Sequence, residues 1–507
     1  MNSRRKIIGW VAVVYALCVS TISFGAESDV RLAEASRRGD RAAVQTLLKQ
    51  GADGNAVNAA LPDGTTALHW AVRADDVELT DMLIRARANV AAADRYGVTP
   101  LSLASLNANA GMIEKLIRAG ANPNAANPYG ETVLMTAART GSVEAVKILL
   151  EHGAAVDAKE SVRGQTALMW AVVENHPEIV RLLHQRGANI NATSTVFVPP
   201  PIRADRVGQA AGAGITRQKA QSAPQGKMTP LLYAARDGNL EMVRLLLESG
   251  ADIKLTDANG TSPLVIALIN GHVGIARFLL GNSADPNAAD GYGRAALFTA
   301  IDLRNLGGGG RKETTELMDL IEELLVRGAN PNAQTKGVVP VRGWQQLDGS
   351  WVNFTGQTPF LRAALSGDVT VMRLLLKYKA DPSLPTAGGT TPLMAAAGVN
   401  WVANRTLTHS PQESLEAVRL CVELGNAVNA VNSMGFTAMH GAANRGSDDI
   451  IRFLAEKGAK LDAKDAEGRT PMDFAEGVFL AVIPPVRKPG TITLLRELTA
   501  TSKTAVR

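Results

Sequence analysis

Seven histidines, two cysteines and one glycine run are the features of this 507-residue sequence that could carry chemistry. Histidine is the usual general base or metal ligand near neutral pH. A thiolate can act as a nucleophile or hold zinc. Their spacing denies them partners. His69 and His440 share one slot of a recurring phrase, His176 and His272 fall at inter-helix turns, and His152 and His184 lie near helix ends. His409 stands alone on an insertion. Cys18 sits in an N-terminal apolar run. Cys421 takes a position otherwise held by Leu, where it reads as a small buried hydrophobe. Two cysteines exclude a disulfide framework and any Cys-based zinc or iron–sulfur site. Gly307 to Gly310, followed by Arg311-Lys312, lacks the spacing of a phosphate loop, and no Gly-x-Ser-x-Gly elbow occurs. The expectation is a non-enzymatic chain with no cofactor and no metal.

One segment has the chemistry of a binding anchor. Asp348-Gly349 lies between two strand-like runs that carry Trp344 and Trp351. Asp-Gly there predicts a hairpin, because both turn residues need positive φ. The period of two puts both rings on one face as diagonal neighbours. Two outcomes are open: both rings fold back onto adjoining loops, or one stays open as a hot spot; Trp344, beside Gly343, is the better candidate for the open one.

The elements that position these residues come from a repeat. A Gly-Ala-Asn/Asp phrase occurs at Gly51, Gly120, Gly187, Gly250 and Gly328, and its Gly-Ala start alone at Gly153 and Gly458. Degenerate copies stand at Arg87, Ser283, Lys379 and Gly425. The base period is 33 residues, with longer intervals where insertions fall. A second phrase, Gly-x-Thr-Ala/Pro-Leu-x-x-Ala, recurs between them, as in Gly64 to Ala71 and Gly97 to Leu101. Glycine permits positive φ in a tight turn, Thr can cap a helix, and Pro fits the first helical turn. A second helix such as Val143 to Leu150 spaces its apolar residues by three and four, and Gly ends it. Neither helix can bury its apolar face alone, so the repeats must stack.

These phrases resemble the ankyrin repeat family, from Asp29 to about Lys503. The resemblance implies an all-α solenoid of about twelve helix–turn–helix repeats with hairpin loops, and a concave face that holds other proteins. The predicted organisation is a signal peptide at 1–25, repeats 1–5 at 29–194, and a Pro/Gly/Ala-rich insertion at 195–226. Repeats 6–8 follow at 227–334 with an insertion at 305–315. The tryptophan hairpin occupies 335–355, and repeats 9–12 span 356–503 with an insertion at 399–414. The run Val196 to Pro201 could be a polyproline ligand or a tolerated surface loop. In the family, the slots just after the first-helix alanines face the concave side. Here they hold Arg37, Arg38, Arg73, Arg139, Arg236 and Arg445, with two acids, Glu174 and Asp237. Arginine pairs well with carboxylates. The candidate partner-binding residues are therefore Arg73, Arg139, Arg236, Arg445, Trp344 and Trp351, and the expected partner is an acidic protein surface.

Composition and charge agree with such a module. Apolar residues make up 46% and aromatics only 4%, so the core must be aliphatic. The net charge is +5, but Arg4, Arg5 and Lys6 supply three of those charges, and the near balance of the rest argues against a nucleic-acid binder. Residues 1–26 combine a basic start, an apolar run and a small-residue exit, as in a secretory signal peptide cleaved after Gly25 or Ala26. An uncleaved anchor and a twin-arginine signal are the alternatives. The expectation is an exported, monomeric scaffold in the periplasm or outside the cell, free of the membrane after cleavage. A secreted effector acting on a host protein, an enzyme using the groove and a passive spacer are the competing functions.

Overall fold

The computed structural model describes residues 29–200, 223–305, 314–337, 339, 352–401, 410–478, 480 and 485–505. The predicted signal peptide, Trp344, Trp351 with their hairpin, His409 and most of the insertions lie outside the described residues. The chain divides into two compact units, residues 1–188 and 189–507.

The first unit contains α1 (Arg31–Arg37), α2 (Arg41–Lys49), a short α3 (Gly54–Val57), α4 (Ala67–Arg73), α5 (Val77–Arg85), α6 (Pro100–Leu106), α7 (Ala110–Arg118), α8 (Val133–Thr140), α9 (Val143–Glu151), α10 (Ala167–Val173) and α11 (Pro177–Gln185). The second opens with a two-stranded antiparallel ribbon, β1 (Val196–Phe197) with β2 (Gln225–Gly226), followed by helices. These are α12 (Pro230–Asp237), α13 (Leu240–Glu248), α14 (Pro263–Ile269), α15 (Val273–Gly281), α16 (Ala296–Asn305), α17 (Thr314–Val326), α18 (Pro359–Ser366), α19 (Val369–Lys377), α20 (Pro392–Ala397), α21 (Pro411–Glu423), α22 (Ala438–Arg445), α23 (Asp448–Glu456), α24 (Pro471–Gly477) and α25 (Pro489–Ala505).

Each repeat is built as its phrases dictate. Thr99, Thr229 and Thr358 cap first helices, each hydroxyl accepting the N–H three residues on, with Pro in the first turn behind them. Gly141, Gly238 and Gly367 end first helices in the left-handed region, at φ 84°, 86° and 71°. Second helices start on short polar caps such as Asp76, Asn109 and Ser142. The first helices then lie side by side, α4 against α6, α6 against α8 and α8 against α10 in the first unit, and α12 through α24 in the same alternating order in the second. Leu68, Leu101, Leu134 and Leu168 of the first helices, with Leu83, Leu116, Leu149 and Leu183 of the second, are fully buried between neighbours. Hairpin tips are joined by backbone bonds, among them Arg95 N–H to Asp63 O at 3.0 Å, Ser161 N–H to Tyr129 O at 2.7 Å and Ser433 N–H to Gly388 O at 2.8 Å.

The β1–β2 ribbon closes the base of the longest insertion. Ser194 and Met228 bond across it, and Gly226 O accepts the Ala258 N–H of the next hairpin at 3.0 Å.

Candidate functional site

The first helices carry their arginines in the last turn, and three of the four candidates hold one slot. Counting the capping Thr as zero, Arg73, Arg139 and Arg236 stand at position seven, whereas Arg445 stands at eight. The structure sets every one of them against an aromatic ring. Arg73 lies 5.6 Å from the Trp70 ring centroid, Arg139 5.0 Å from Trp170, Arg236 4.9 Å from Tyr233 and Arg445 5.6 Å from Trp401. Such stacking is worth about 0.5–2 kcal/mol, more as the pair is desolvated, and it holds the guanidinium plane. Trp70, Trp170 and Tyr233 share position four of their helices, one residue before the alanine of the phrase. Sequence reasoning passed over these rings, although Trp70/Arg73 and Tyr233/Arg236 are spaced to meet on one helix face.

The arginines differ in compensation. Arg236 is hydrogen-bonded to its neighbour Asp237 at 2.7 Å and 3.0 Å, which raises its pKa. Arg139 reaches Glu131 at 3.4 Å. Arg73, Arg37 and Arg38 are exposed. Arg445 donates to Ser414 Oγ at 2.8 Å, and burial pushes its pKa down.

Between α16 and α18 the slots are exchanged. Asp302 takes position seven, where Arg139 stands in its own repeat, and Arg362 takes position four, where Trp170 stands. They pair at 2.6 Å. Arg304 and Asp368 pair at 2.8 Å beside them, both nearly buried, and Asn305 donates to Asp368 at 3.3 Å. Arg362 also donates to Ser366 Oγ at 2.9 Å and Asn305 O at 3.3 Å. Two positive and two negative charges close on one another, so this stretch presents no net charge to a ligand.

Four of the histidines bond to backbone across repeats, while His152 lies 3.3 Å from Glu114. His69 Nδ1 accepts the Thr66 N–H at 3.1 Å while Nε2 meets Val98 O of the next repeat at 3.0 Å, and His440 repeats this with Thr437 and Arg469 O. His176 and His272 place Nε2 on the carbonyls of Arg139 and Arg236, at 3.1 Å and 3.0 Å. The Cys421 thiol is buried, which pushes its pKa up to about 12. Among the described residues no group of three or more His, Cys, Asp or Glu side chains is placed to hold a metal ion, and no helix is long and apolar enough to cross a membrane.

A further set of residues clamps repeat to repeat. Asn124 donates through Nδ2 to Gly153 O at 3.0 Å and accepts the Ala155 N–H at 2.7 Å. Asn58, Asn191, Asn287, Asn332 and Asn429 make the same pair of bonds to their next repeats. The recurring second Asn after the Gly-Ala phrase was the visible signal of this ladder.

Known proteins share these features. A family model described as "Ankyrin repeats (3 copies)" matches residues 32–127, 102–194, 210–306 and 406–477, and one described as "Ankyrin repeat" matches 355–384. Alpha-latroinsectotoxin-Lt1a of Latrodectus tredecimguttatus is 29% identical over 119 residues, 23% of this chain and 7% of the toxin. Palmitoyltransferase ZDHHC17 of Danio rerio is 30% identical over 152 residues, 24% of this chain and 23% of the transferase. The chain thus spans less than a quarter of the length of either. Cyclin-dependent kinase 4 inhibitor B of Rattus norvegicus is 32% identical over 115 residues, 22% of this chain and 78% of the inhibitor. The solved ankyrin repeat domain of Bcl-3 aligns with a TM-score of 0.38 and 25% identity, covering 50% of this chain and 99% of that one. With the repeat phrases, the helix pairs they form and family matches over well more than half of its length, this chain belongs to the ankyrin repeat family.

Proposed function

We propose that the chain is a non-enzymatic module that holds an acidic protein partner on the concave, first-helix face implied by the family, and that it is exported from a bacterial cytoplasm. Ankyrin repeats are in general protein-binding scaffolds. The observation that carries the partner's chemistry is the placing of Arg73, Arg139, Arg236 and Arg445 each against an aromatic ring. A stacked guanidinium is oriented before binding, which reduces the entropy lost when a carboxylate docks. Arginine and tryptophan are also the residue types that dominate interface energetics. The test is capture of partner from the exported fraction at rising salt. Capture should weaken as salt rises and fall further in the Arg139→Ala plus Arg236→Ala variant. Capture indifferent to both would sink the acidic-partner reading.

Export is supported by the basic start, the apolar run and the small residues at Ser23 to Ala26. Mass spectrometry of the mature protein should find an N-terminus at Ala26 or Glu27. A cytosolic protein that retains Met1 would rule export out.

A further inference from the structure

Two glycines bring α22 unusually close to the end of α20. A Cβ on Gly441 would lie 2.5 Å from Val399 N, and one on Gly398, at φ 115°, would lie 2.8 Å from Gly441 O. This approach sets the Arg445 side chain against Gly398 and its guanidinium 5.6 Å from the Trp401 ring centroid. Among the described residues the guanidinium donates once, to Ser414 Oγ, and that hydroxyl commits its own proton to Ser410 O at 3.0 Å. Four of the five guanidinium N–H donors remain. Among the described residues no carboxylate pairs with Arg445, whereas Arg139, Arg236, Arg304 and Arg362 each have one. Burial depresses its pKa, with no acid to offset the desolvation. Beside it, Trp401 Nε1 is a buried donor with no acceptor among the described residues. The C-terminal carbonyls of α20 and α22 supply only partial negative charge. Among the described residues the corner therefore holds one cation without a carboxylate and surplus donors, whereas buried polar groups in folded proteins mostly find partners.

From this geometry we infer that Arg445 and Trp401 form a carboxylate-binding site, the anchor for an Asp or Glu side chain of the partner. The inference rests on the acidic-partner reading above but moves its centre of weight from Arg139 and Arg236, which are internally paired, to Arg445. A guanidinium stacked on an indole face keeps its planar N–H edge for a bidentate acceptor. One positive charge with neutral donors matches a monoanion; a phosphate dianion would call for a second cation, and the described lysine nearby, Lys488 against Gly446, gives its Nζ to Val486 O at 3.0 Å.

The test is a titration of the full ¹⁵N-labelled chain with sodium acetate replacing chloride at constant ionic strength. The probe is the Trp401 indole N–H resonance, assigned by its loss in Trp401→Phe. A saturable acetate-dependent shift is expected, abolished in Arg445→Gln and about 10-fold weaker in Arg445→Lys, which keeps the charge but loses the fork. Inorganic phosphate should act more weakly than acetate. A folded wild-type chain whose Trp401 resonance ignores acetate overturns the site, as does an equal response in Arg445→Gln or a stronger response to phosphate. The first of these needs no variant to fold. The Arg139→Ala plus Arg236→Ala chain should keep the acetate response. Loss of salt-dependent capture with the acetate response intact sinks only the partner reading, and the reverse result sinks only this site.

Discussion

Trp70 and Trp170 occupy the same slot, yet only one has a satisfied indole. Trp70 Nε1 donates to Thr65 Oγ1 at 3.1 Å, while position 165 is Gln and Trp170 Nε1 is buried without an acceptor among the described residues. At this scale a single neighbouring residue decides what a shared slot does. The same holds for the paired histidines. His69 and His440 accept a backbone N–H through Nδ1 and meet a carbonyl through Nε2, so the neutral form with the proton on Nε2 satisfies every group. Burial lowers both pKa values below the ordinary 6.5. The unfolded chain therefore takes up protons first as pH falls. The stability these residues contribute is complete above pH 6.5 and is lost as pH drops through their lower folded values. Melting temperature should decline between pH 7 and 5, and the His69→Gln plus His440→Gln variant should show a shallower decline across that window. An unchanged slope would assign the pH dependence to other groups. The arginine slots themselves were legible in the sequence. Their compensation was not, because Glu131 meets Arg139 from beyond the start of the same helix and Asp302 meets Arg362 from 60 residues away.

Among the described residues, six helix pairs end in a loop whose asparagine reaches the following repeat, so the element is completed by its neighbour. Asn124 both donates to Gly153 O and accepts from Ala155 N, tying two loops with a single side chain. Asn124→Ala should cost about 1 kcal/mol by removing two exposed hydrogen bonds between loops, and urea denaturation would measure it. A loss within error would mean that water replaces the clamp. The Gly slot shows how strongly tertiary context can override local preference. Arg87, Ser283 and Lys379 keep positive φ, at 65°, 68° and 66°, where a side chain is disfavoured. The loop that follows is held by the next repeat, which imposes the turn even where glycine is missing.

In a stack of repeats cohesion passes from neighbour to neighbour, so damage to one interface and the loss of a loop have very different consequences. Leu149 is fully buried between repeats, and Leu149→Asp should destabilise the first unit by more than about 3 kcal/mol by burying an unpaired charge. Deleting residues 201–222 and joining the ribbon ends by a short turn should change stability little, because loop-closure entropy varies slowly with length. In the second unit Asn191 already bonds to Gly250 O and Asp252 N beyond the insertion. Circular dichroism melts of the two variants compare these effects; a deletion more damaging than the core charge would place the insertion inside the core. The sequence alone determined the repeat, its helix caps and turns and the faces that must be buried, because these depend on residues within one period and on the neighbour that every period implies. The tertiary structure alone decided which groove charges are spent and which remain. Arg362 with Asp302 and Arg304 with Asp368 close their charges across an interval containing insertions, and two glycines admit Arg445 to Trp401 without any acid at hand. Those pairings depend on distances between residues far apart in the chain, and the repeat pattern carries no such distances.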